Sequence, residues 1–145
     1  MEINTYTPAN TPGDAAFSAI NEFLFVHLEQ YGDEKQDIAK AMNYALGQDG
    51  KPGGYLLTAI KDNNVIGAVV INKTGMNGYI PDNILVYIAT HNEQRGKGVG
   101  KKLMQEAIAA AEGDIALHVE PDNPAKLLYE KLGFTNKYLE MRLKK

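Results

Sequence analysis

The chain of 145 residues contains no cysteine. Without a thiol it can form neither a disulfide framework nor a thiolate zinc site, and it has no cysteine nucleophile. The histidines, His27, His91 and His118, do not have the mutual spacing of a metal site. We therefore expect no resident metal, and any covalent chemistry has to proceed without a cysteine.

Positive charge is not in excess, since 15 Lys and Arg stand against 18 Asp and Glu, for a formal net charge of -3. This balance argues against a general nucleic-acid binder, although a local basic patch remains open. No apolar run is long enough to span a membrane, and the first twenty residues contain Glu2 and Asp14 but no Lys or Arg. We expect a cytoplasmic protein without a secretory signal, with neither nucleic acid nor membrane as a partner.

The length and a hydrophobic content of 44% fit one globular domain over residues 1–145. In the first half, "MEINTYT" alternates apolar and polar residues and predicts a strand, and helical periodicity follows over 13–30. A second helix is predicted over 33–46, because Asp33 and Glu34 favour its start and Gly47 its end. The next two apolar runs, "YLLTAI" and "VIGAVVI", are separated by "KDNN", which predicts a β-hairpin.

The order of elements changes at residue 84. "ILVYIAT" is almost wholly apolar and predicts a strand buried on both faces. A helix over 98–112 and a strand "DIALHV" from residue 114 then complete a unit long enough for a parallel βαβ crossover. A further helix is predicted over 123–132, and "KYLEMRL" can supply a final strand.

The stretch "RGKGVGKK" lies between the strand and the helix of that crossover. Free backbone amides and the positive end of a helix dipole meet at this position, which favours an anion. The stretch matches neither GxGxxG nor GxxxxGK[ST], and a glycine-rich turn with solvated lysines is the alternative. Three glycines allow close approach of the backbone and four cations add charge: Gly96, Gly98, Gly100, Arg95, Lys97, Lys101 and Lys102.

A second stretch, "IALHVEPDNPAKLLYEKLGF", follows the loop in a fixed order of strand, turn, short helix and Gly-Phe. Together the two stretches resemble the GNAT family of N-acetyltransferases. Its acyl-CoA motif R/Q-x-x-G-x-G/A is matched by Arg95, Gly98 and Gly100, and its L-Y-E-K-x-G-F helix end by residues 128–134. The resemblance implies an α/β fold with a mixed, mostly antiparallel sheet, a late parallel βαβ unit and helices on both faces.

The resemblance also implies acetyl-CoA as co-substrate. The pyrophosphate would be held by the loop and the pantetheine arm by the preceding strand, that is by Arg95, Gly96, Lys97, Gly98, Val99, Gly100 and Lys101, and by Ile88, Ala89 and Thr90. Asn123 matches an asparagine that contacts the pantetheine, but it precedes Tyr129 by six residues where many members have seven. The contact therefore either stays at Asn123, passes to Asp122 or is lost.

For catalysis, Tyr129 resembles the tyrosine general acid of the family; a buried core tyrosine is the alternative. "LHV" resembles the L-E-V of ribosomal-protein N-terminal acetyltransferases, in which the glutamate is the base, so His118 is the candidate base. Glu120 and Asp82 are the next candidates. The other interpretation of His118 is a polar residue without a catalytic role. The strand-start glutamate of histone-type members is replaced by Ile84.

The sequence thus predicts an N-acetyltransferase that transfers acetyl directly to a primary amine of a small molecule, a peptide or a protein. The alternatives are a catalytically silent acyl-CoA-binding module and a binder of nucleotides or sugar phosphates. By position, the acceptor pocket of the family corresponds to Phe25, His27, Tyr31, residues 75–79 and Tyr138. The acceptor and the oligomeric state stay open, with a homodimer as one arrangement.

Overall fold

The computed structural model describes residues 1–145. Its strands and helices follow the predicted order up to the end of the last helix, with small differences at their ends. In chain order they are β1 (Glu2–Tyr6), α1 (Asp14–His27), α2 (Lys35–Ala45), β2 (Gly54–Lys61), β3 (Asn64–Lys73), β4 (Asn83–Thr90), α3 (Val99–Ala110), β5 (Ile115–Leu117) and α4 (Ala125–Lys131).

The five strands form one sheet in the order β1-β2-β3-β4-β5. The first four are antiparallel to their neighbours, and β5 is parallel to β4 across the α3 crossover. Between β2 and β3, Asp62 and Asn63 have positive φ values of 51° and 63°, as the tight hairpin turn with two left-handed residues requires. The predicted hairpin, the late parallel unit and the mixed sheet are confirmed.

Helices cover both faces of the sheet, as predicted. On one face α1 and α2 bury Ile20, Leu24, Ile38 and Met42 against the strands. On the other face α3 and α4 bury a second cluster of side chains, among them Leu103. Each fully buried aliphatic side chain of this size contributes about 1.5–3 kcal/mol relative to leaving it in water. No helix of the chain combines the length and the apolar composition needed to cross a bilayer.

A β-bulge in β4 determines where the sheet opens. Val70 is paired with Tyr87 and Ile71 with Leu85, so that Val86 has no partner on β3. A bulge bends its strand and increases the local twist. The parallel pairing of β4 with β5 accordingly stops at Leu85. The edge of β4 from residue 86 to 90 is left without a neighbouring strand on that side.

Three predictions about strands need correction. β5 ends at Leu117, before His118, because β4 and β5 diverge and no partner remains for the rest of "DIALHV". β4 is not buried on both faces, since every second side chain beside the opening is only partly buried. The predicted final strand over 137–143 is not formed, because this segment pairs with no strand of the chain and most of its side chains lie in water.

Candidate functional site

The loop between β4 and α3 has the backbone conformation of an anion cradle. Gly96 and Gly98 have φ values of 78° and 82°, in the left-handed region that favours glycine. A Cβ atom added to either residue would have no other atom within 4 Å. The backbone therefore borders open space at these two positions, and Gly98 directly precedes α3.

The first turn of α3 supplies unpaired donors beside this space. The amides of Gly98, Val99, Gly100 and Lys101 donate no hydrogen bond within the chain. Together with the positive end of the helix dipole, such amides form a binding site for a phosphate group. These residues fit the pyrophosphate of coenzyme A.

The cationic side chains of the loop differ in whether they form ion pairs with carboxylates. The guanidinium of Arg95 lies 3.1 Å from the Glu29 carboxylate and 3.5 Å from the His27 carbonyl oxygen, at the end of α1. Lys102 pairs with Glu106 one turn further along α3, at 3.2 Å. Lys97 and Lys101 make no ion pair. The free positive charge at the cradle thus comes from these two lysines, whereas Arg95 ties the loop to α1.

The open edge of β4 leads to the cradle. The His91 amide donates to the Ile66 carbonyl on β3, at 2.8 Å. Because backbone groups of successive strand residues point to alternate sides, Ile88 and Thr90 direct theirs to the open side and Ala89 towards β3. Of the three residues predicted to hold the pantetheine arm, Ile88 and Thr90 are placed to do so through their backbone.

Gly100 marks the point at which three predicted site elements meet. A Cβ atom added there would lie 3.4 Å from Cγ2 of Thr90 and 3.5 Å from Cδ2 of Leu128. The end of β4, the start of α3 and the middle of α4 are therefore in contact at this point. This arrangement brings the helix of Tyr129 next to the cradle.

Tyr129 is 6% exposed and packs in the core of the α3 and α4 face, with its ring 5.9 Å from that of Phe134. Its hydroxyl makes no hydrogen bond with the chain. Burial raises the pKa of Tyr129 to about 12 because the phenolate is poorly solvated there. The side chain is thus both a core residue and a protonated, unpaired donor at neutral pH.

Asn123 and Asp122 lie in the turn before α4. The Asn123 side-chain oxygen accepts a hydrogen bond from the Ala125 amide at 2.9 Å and so fixes the start of the helix. The Asp122 carbonyl accepts a hydrogen bond of 3.3 Å from the Tyr31 hydroxyl, 91 residues earlier in the chain. This bond joins the segment between α1 and α2 to the turn before α4. No local sequence signal predicts a contact over that separation.

The three candidate bases lie in different places. His118 is exposed directly after β5, and the residues on either side, Leu117 and Val119, still pack into the core. Glu120 is exposed two residues further on. Asp82 precedes β4 at the opposite end from the cradle, where its carboxylate accepts a hydrogen bond from the Asp114 amide at 3.1 Å. Because β5 is parallel to β4 and their pairing stops at Leu117 and Leu85, His118 and Glu120 follow at the end of the sheet that opens, whereas Asp82 lies at the other end.

The sequence itself shows to which family this arrangement belongs. A family model described as an acetyltransferase (GNAT) domain matches residues 52–136, more than half of the chain. The chain belongs to the GNAT family. As a member it is an N-acetyltransferase. No curated protein matches the sequence of this GNAT chain.

Solved structures share its fold. An aminoglycoside 6'-N-acetyltransferase from Acinetobacter haemolyticus is 18% identical, with a TM-score of 0.71 over 100% of this chain and 98% of that one. A ribosomal-protein-alanine N-acetyltransferase from Brucella melitensis is 19% identical, with a TM-score of 0.62 over 99% and 98%. A transcriptional regulator from Bacillus halodurans is 17% identical, with a TM-score of 0.70 over 99% of both chains. At these identities the similarity establishes the GNAT fold alone.

On the α1 and α2 face of this GNAT domain, Tyr87 of β4 reaches the segment between the two helices. Its hydroxyl donates to the Asp33 carboxylate at 2.5 Å. Burial, followed by the hydrogen bond to Asp33 and its charge, raises the pKa of Tyr87 well above the usual range. Tyr87 is buried, whereas Asp33 is exposed, so an amine in water can reach this carboxylate. No local pattern in the sequence predicts this pair, whose members are 54 residues apart.

Two of the three histidines, His27 and His91, lie against each other. The ring centroids of His27 and His91 are 4.3 Å apart, and Phe23 lies 4.6 Å beyond His27. Burial, then the charges of His91 and Arg95, lower the pKa of His27, and Glu29 opposes the shift. An open groove of about 620 Å³ runs beside this stack. The stack supports the same end of α1 that Arg95 contacts.

Few of the side chains expected in the acceptor pocket lie near the cleft. Tyr31 does, through its bond to Asp122. Phe25, Tyr79 and Tyr138 are 47%, 79% and 80% exposed. The acceptor pocket over these residues stays a prediction.

Proposed function

We propose that this chain is an acetyl-CoA-dependent N-acetyltransferase that moves the acetyl group directly from the thioester to a primary amine. One observation carries the proposal: a cradle of four free amides, the open edge of β4 and the helix of Tyr129 meet at Gly100. Acetyl-CoA needs three neighbouring sites in this order: one for its pyrophosphate, one for its extended pantetheine arm and one for its reacting sulfur. The absence of cysteine favours direct transfer over an acyl-cysteine intermediate.

Coenzyme A would be held by residues 96–101 at its pyrophosphate and by the backbone of Ile88 and Thr90 along its pantetheine arm. When bound, acetyl-CoA supplies an activated acetyl group as a thioester. The chain has to hold the amine, remove one proton from its nitrogen and deliver one to the sulfur, so that the C–S bond breaks as the C–N bond forms. Tyr129 suits the last task because it is protonated and has no other hydrogen-bond partner.

The amine has to arrive as the free base. An alkylammonium with a reference pKa of ~10.4 loses its proton at pH 7 at a cost of roughly 4.5 kcal/mol. We assign this proton to His118, either directly or through a water molecule, because its exposed imidazole follows β5 at the end of the sheet that opens. Glu120, with a water relay, is the alternative base.

The acidic segment between α1 and α2 is proposed to attract the acceptor. Asp33 is exposed and negatively charged, and its contact with Tyr87 fixes it beside β4. A cationic amine gains from this charge without needing any particular size. The aminoglycoside and ribosomal-protein acetyltransferases of similar fold are named for acceptors of very different size, so both small molecules and proteins are retained as acceptors.

Asp33→Asn tests the acceptor assignment. The amide keeps an acceptor for the Tyr87 hydroxyl but removes the charge, so we expect KM for the amine to rise about 10-fold, corresponding to about 1.4 kcal/mol. KM for acetyl-CoA should stay within twofold. Glu34→Gln is the matched control, because Glu34 is an exposed neighbour that does not contact Tyr87. Equal effects of the two changes on KM for the amine would remove Asp33 from the site.

His118→Ala tests the base. We expect turnover to fall by about 10²-fold, as for one acid-base group, with little change in KM for acetyl-CoA. In the wild type, turnover should rise with pH as the general base is deprotonated, and a variant that lacks the base should lose this rise. Glu120→Gln is the parallel variant. If His118→Ala keeps the wild-type pH profile and Glu120→Gln loses it, the role belongs to Glu120.

Two assays separate this function from its alternatives. Release of free thiol from acetyl-CoA in the presence of a panel of amines, from polyamines and aminoglycosides to peptide N-termini, is expected for at least one amine. Thermal stabilisation by coenzyme A with no thiol release on any amine would favour the catalytically silent binding module. Stabilisation by ATP but not by coenzyme A would favour the binder of nucleotides.

A further inference from the structure

Residues 95–98, the cradle loop, have few contacts that hold their shape. The amides of Arg95 and Lys97 donate to carbonyls of the preceding residues over long distances of 3.4 and 3.3 Å. Those of Gly96 and Gly98 donate to none. A Cβ atom added to either glycine would have no other atom within 4 Å. A glycine-containing loop of this kind keeps much conformational freedom, and ordering it when a ligand binds costs free energy.

Arg95 ties the cradle loop to another part of the fold. Its guanidinium donates to the Glu29 carboxylate at 3.1 Å and to the His27 carbonyl oxygen at 3.5 Å. No other side chain of residues 95–98 forms a hydrogen bond or an ion pair with the rest of the chain. The conformation of the loop therefore depends on the contact of one side chain with the end of α1 and the residue that follows it closely.

The segment that supplies this contact is itself anchored at two further points. We call residues 29–33 the brace. The Tyr31 hydroxyl donates to the Asp122 carbonyl at 3.3 Å, and the Asp33 carboxylate accepts from the Tyr87 hydroxyl at 2.5 Å. Every second residue of the brace thus contacts a different part of the candidate site: the cradle loop, the turn before α4 and β4. A segment anchored in this way is a firm support for the loop.

We propose that Glu29 is a positioning residue for the binding of coenzyme A. By holding Arg95 it keeps the cradle loop in the conformation that leaves the amides of residues 98–101 free for a phosphate group. The inference rests on the proposed function, which assigns these amides to coenzyme A. A carboxylate near an anion site would otherwise only oppose binding, because it repels the phosphate and competes for the guanidinium. The two roles predict effects of opposite sign on affinity.

Two neutral amides at position 29 separate contact from charge. Glu29→Gln keeps the length of the side chain, so its amide oxygen can still accept from Arg95. Glu29→Asn is one carbon shorter and ends short of the guanidinium. We expect the Kd of coenzyme A in calorimetry to rise about threefold in Glu29→Asn, as for the loss of a partly exposed ion pair. In Glu29→Gln it should stay near the wild-type value.

Thermal stability should follow a different order from affinity. Glu29 has a left-handed φ of 55°, a conformation that asparagine tolerates better than glutamine. Glu29→Asn should therefore melt no lower than Glu29→Gln, although it binds coenzyme A more weakly. A residue that served only the stability of the fold would move affinity and melting temperature in the same direction.

Glu93→Gln is the matched control for charge. Glu93 is an exposed carboxylate that lies closer in the chain to the cradle and forms no ion pair. Its neutralisation should leave the affinity for coenzyme A unchanged or slightly raise it. An unchanged Kd in Glu29→Asn, or a lower Kd in both variants at position 29, would overturn the proposal.

Amide hydrogen exchange of the free protein tests the support of the loop without a ligand. The amides of Arg95 and Lys97 should exchange faster in Glu29→Asn than in the wild type or in Glu93→Gln. A protein that shows this difference but does not bind coenzyme A would refute the proposed function and keep Glu29 as the support of the loop. A protein that binds coenzyme A, with unchanged exchange in Glu29→Asn, would overturn the inference and keep the proposed function.

Discussion

Replacing Gly98 by valine is expected to weaken binding of coenzyme A at least 100-fold in calorimetry, while the protein stays folded. Valine is unfavourable at this position for two reasons. The left-handed φ of 82° costs a β-branched residue about 1–2 kcal/mol, which favours another loop conformation. If the conformation is kept, the side chain projects into the open space beside the free amides. Either outcome disturbs the positions of the donors that would hold the pyrophosphate.

Gly50→Val is the matched control. Gly50 has a φ of 73° and no atom within 4 Å of an added Cβ, so it reproduces the strain and the open surroundings of Gly98 away from the cradle. It should lower the free energy of unfolding by a similar amount but leave the affinity unchanged. Gly100→Val complements it, because this position has no left-handed strain and its side chain would press against Thr90 and Leu128 beside the cradle. Unchanged affinity in Gly98→Val would refute the phosphate assignment.

Replacing Tyr129 by phenylalanine is expected to lower turnover by about 10²-fold with little change in binding of acetyl-CoA. The change removes only a hydroxyl that has no partner in the chain, so the packing against Phe134 should survive. A phenol with a pKa of about 12 is a weaker acid than a thiol. Its proton therefore helps only as negative charge develops on the sulfur, which limits the expected effect to the range of one acid-base group.

The pH dependence of turnover follows from the raised pKa of Tyr129. Because burial raises the pKa of Tyr129, its proton is present throughout the range of an ordinary assay. Turnover should therefore show no decline on the alkaline side that is due to this group below a pH of about 10. Tyr55→Phe serves as control, since Tyr55 is buried on the same face but bonded to the Glu112 amide. That variant should lose stability and keep its turnover, whereas undiminished turnover in Tyr129→Phe would assign Tyr129 to the core alone.

Local patterns in the sequence were enough for the order of the elements. Alternation predicted β1, and the helical period predicted α1 and α3, because each pattern reflects which face of an element is buried. Turn and helix-end signals predicted the β2–β3 hairpin, α2 and α4. The glycines at 96, 98 and 100 favoured an anion site because they allow the backbone to approach closely at the start of a helix, with a glycine-rich turn as the alternative. The first two of these glycines are left-handed in the structure.

Contacts between distant segments were decided by the tertiary structure alone. The sequence of β4 does not reveal that Val86 is bulged, and it is the bulge that separates β4 from β5 and ends β5 before His118. The bond from Tyr31 to Asp122 and the pairing of Arg95 with Glu29 depend on how α1 packs across the sheet. A residue-by-residue pattern contains no information on such pairs.

Residues 137–143 show most clearly the difference between what the sequence predicts and what the tertiary structure decides. Its alternation determined, from sequence alone, that residues 137–143 are suited to a strand, and this propensity is a local property of the chain. Whether a strand forms depends on a neighbour for its backbone hydrogen bonds, and the fold of a single copy places none there. The sequence determined the elements and the chemistry of the loop, whereas the tertiary structure decided which edges and side chains meet, because pairing is a property of two segments and not of one.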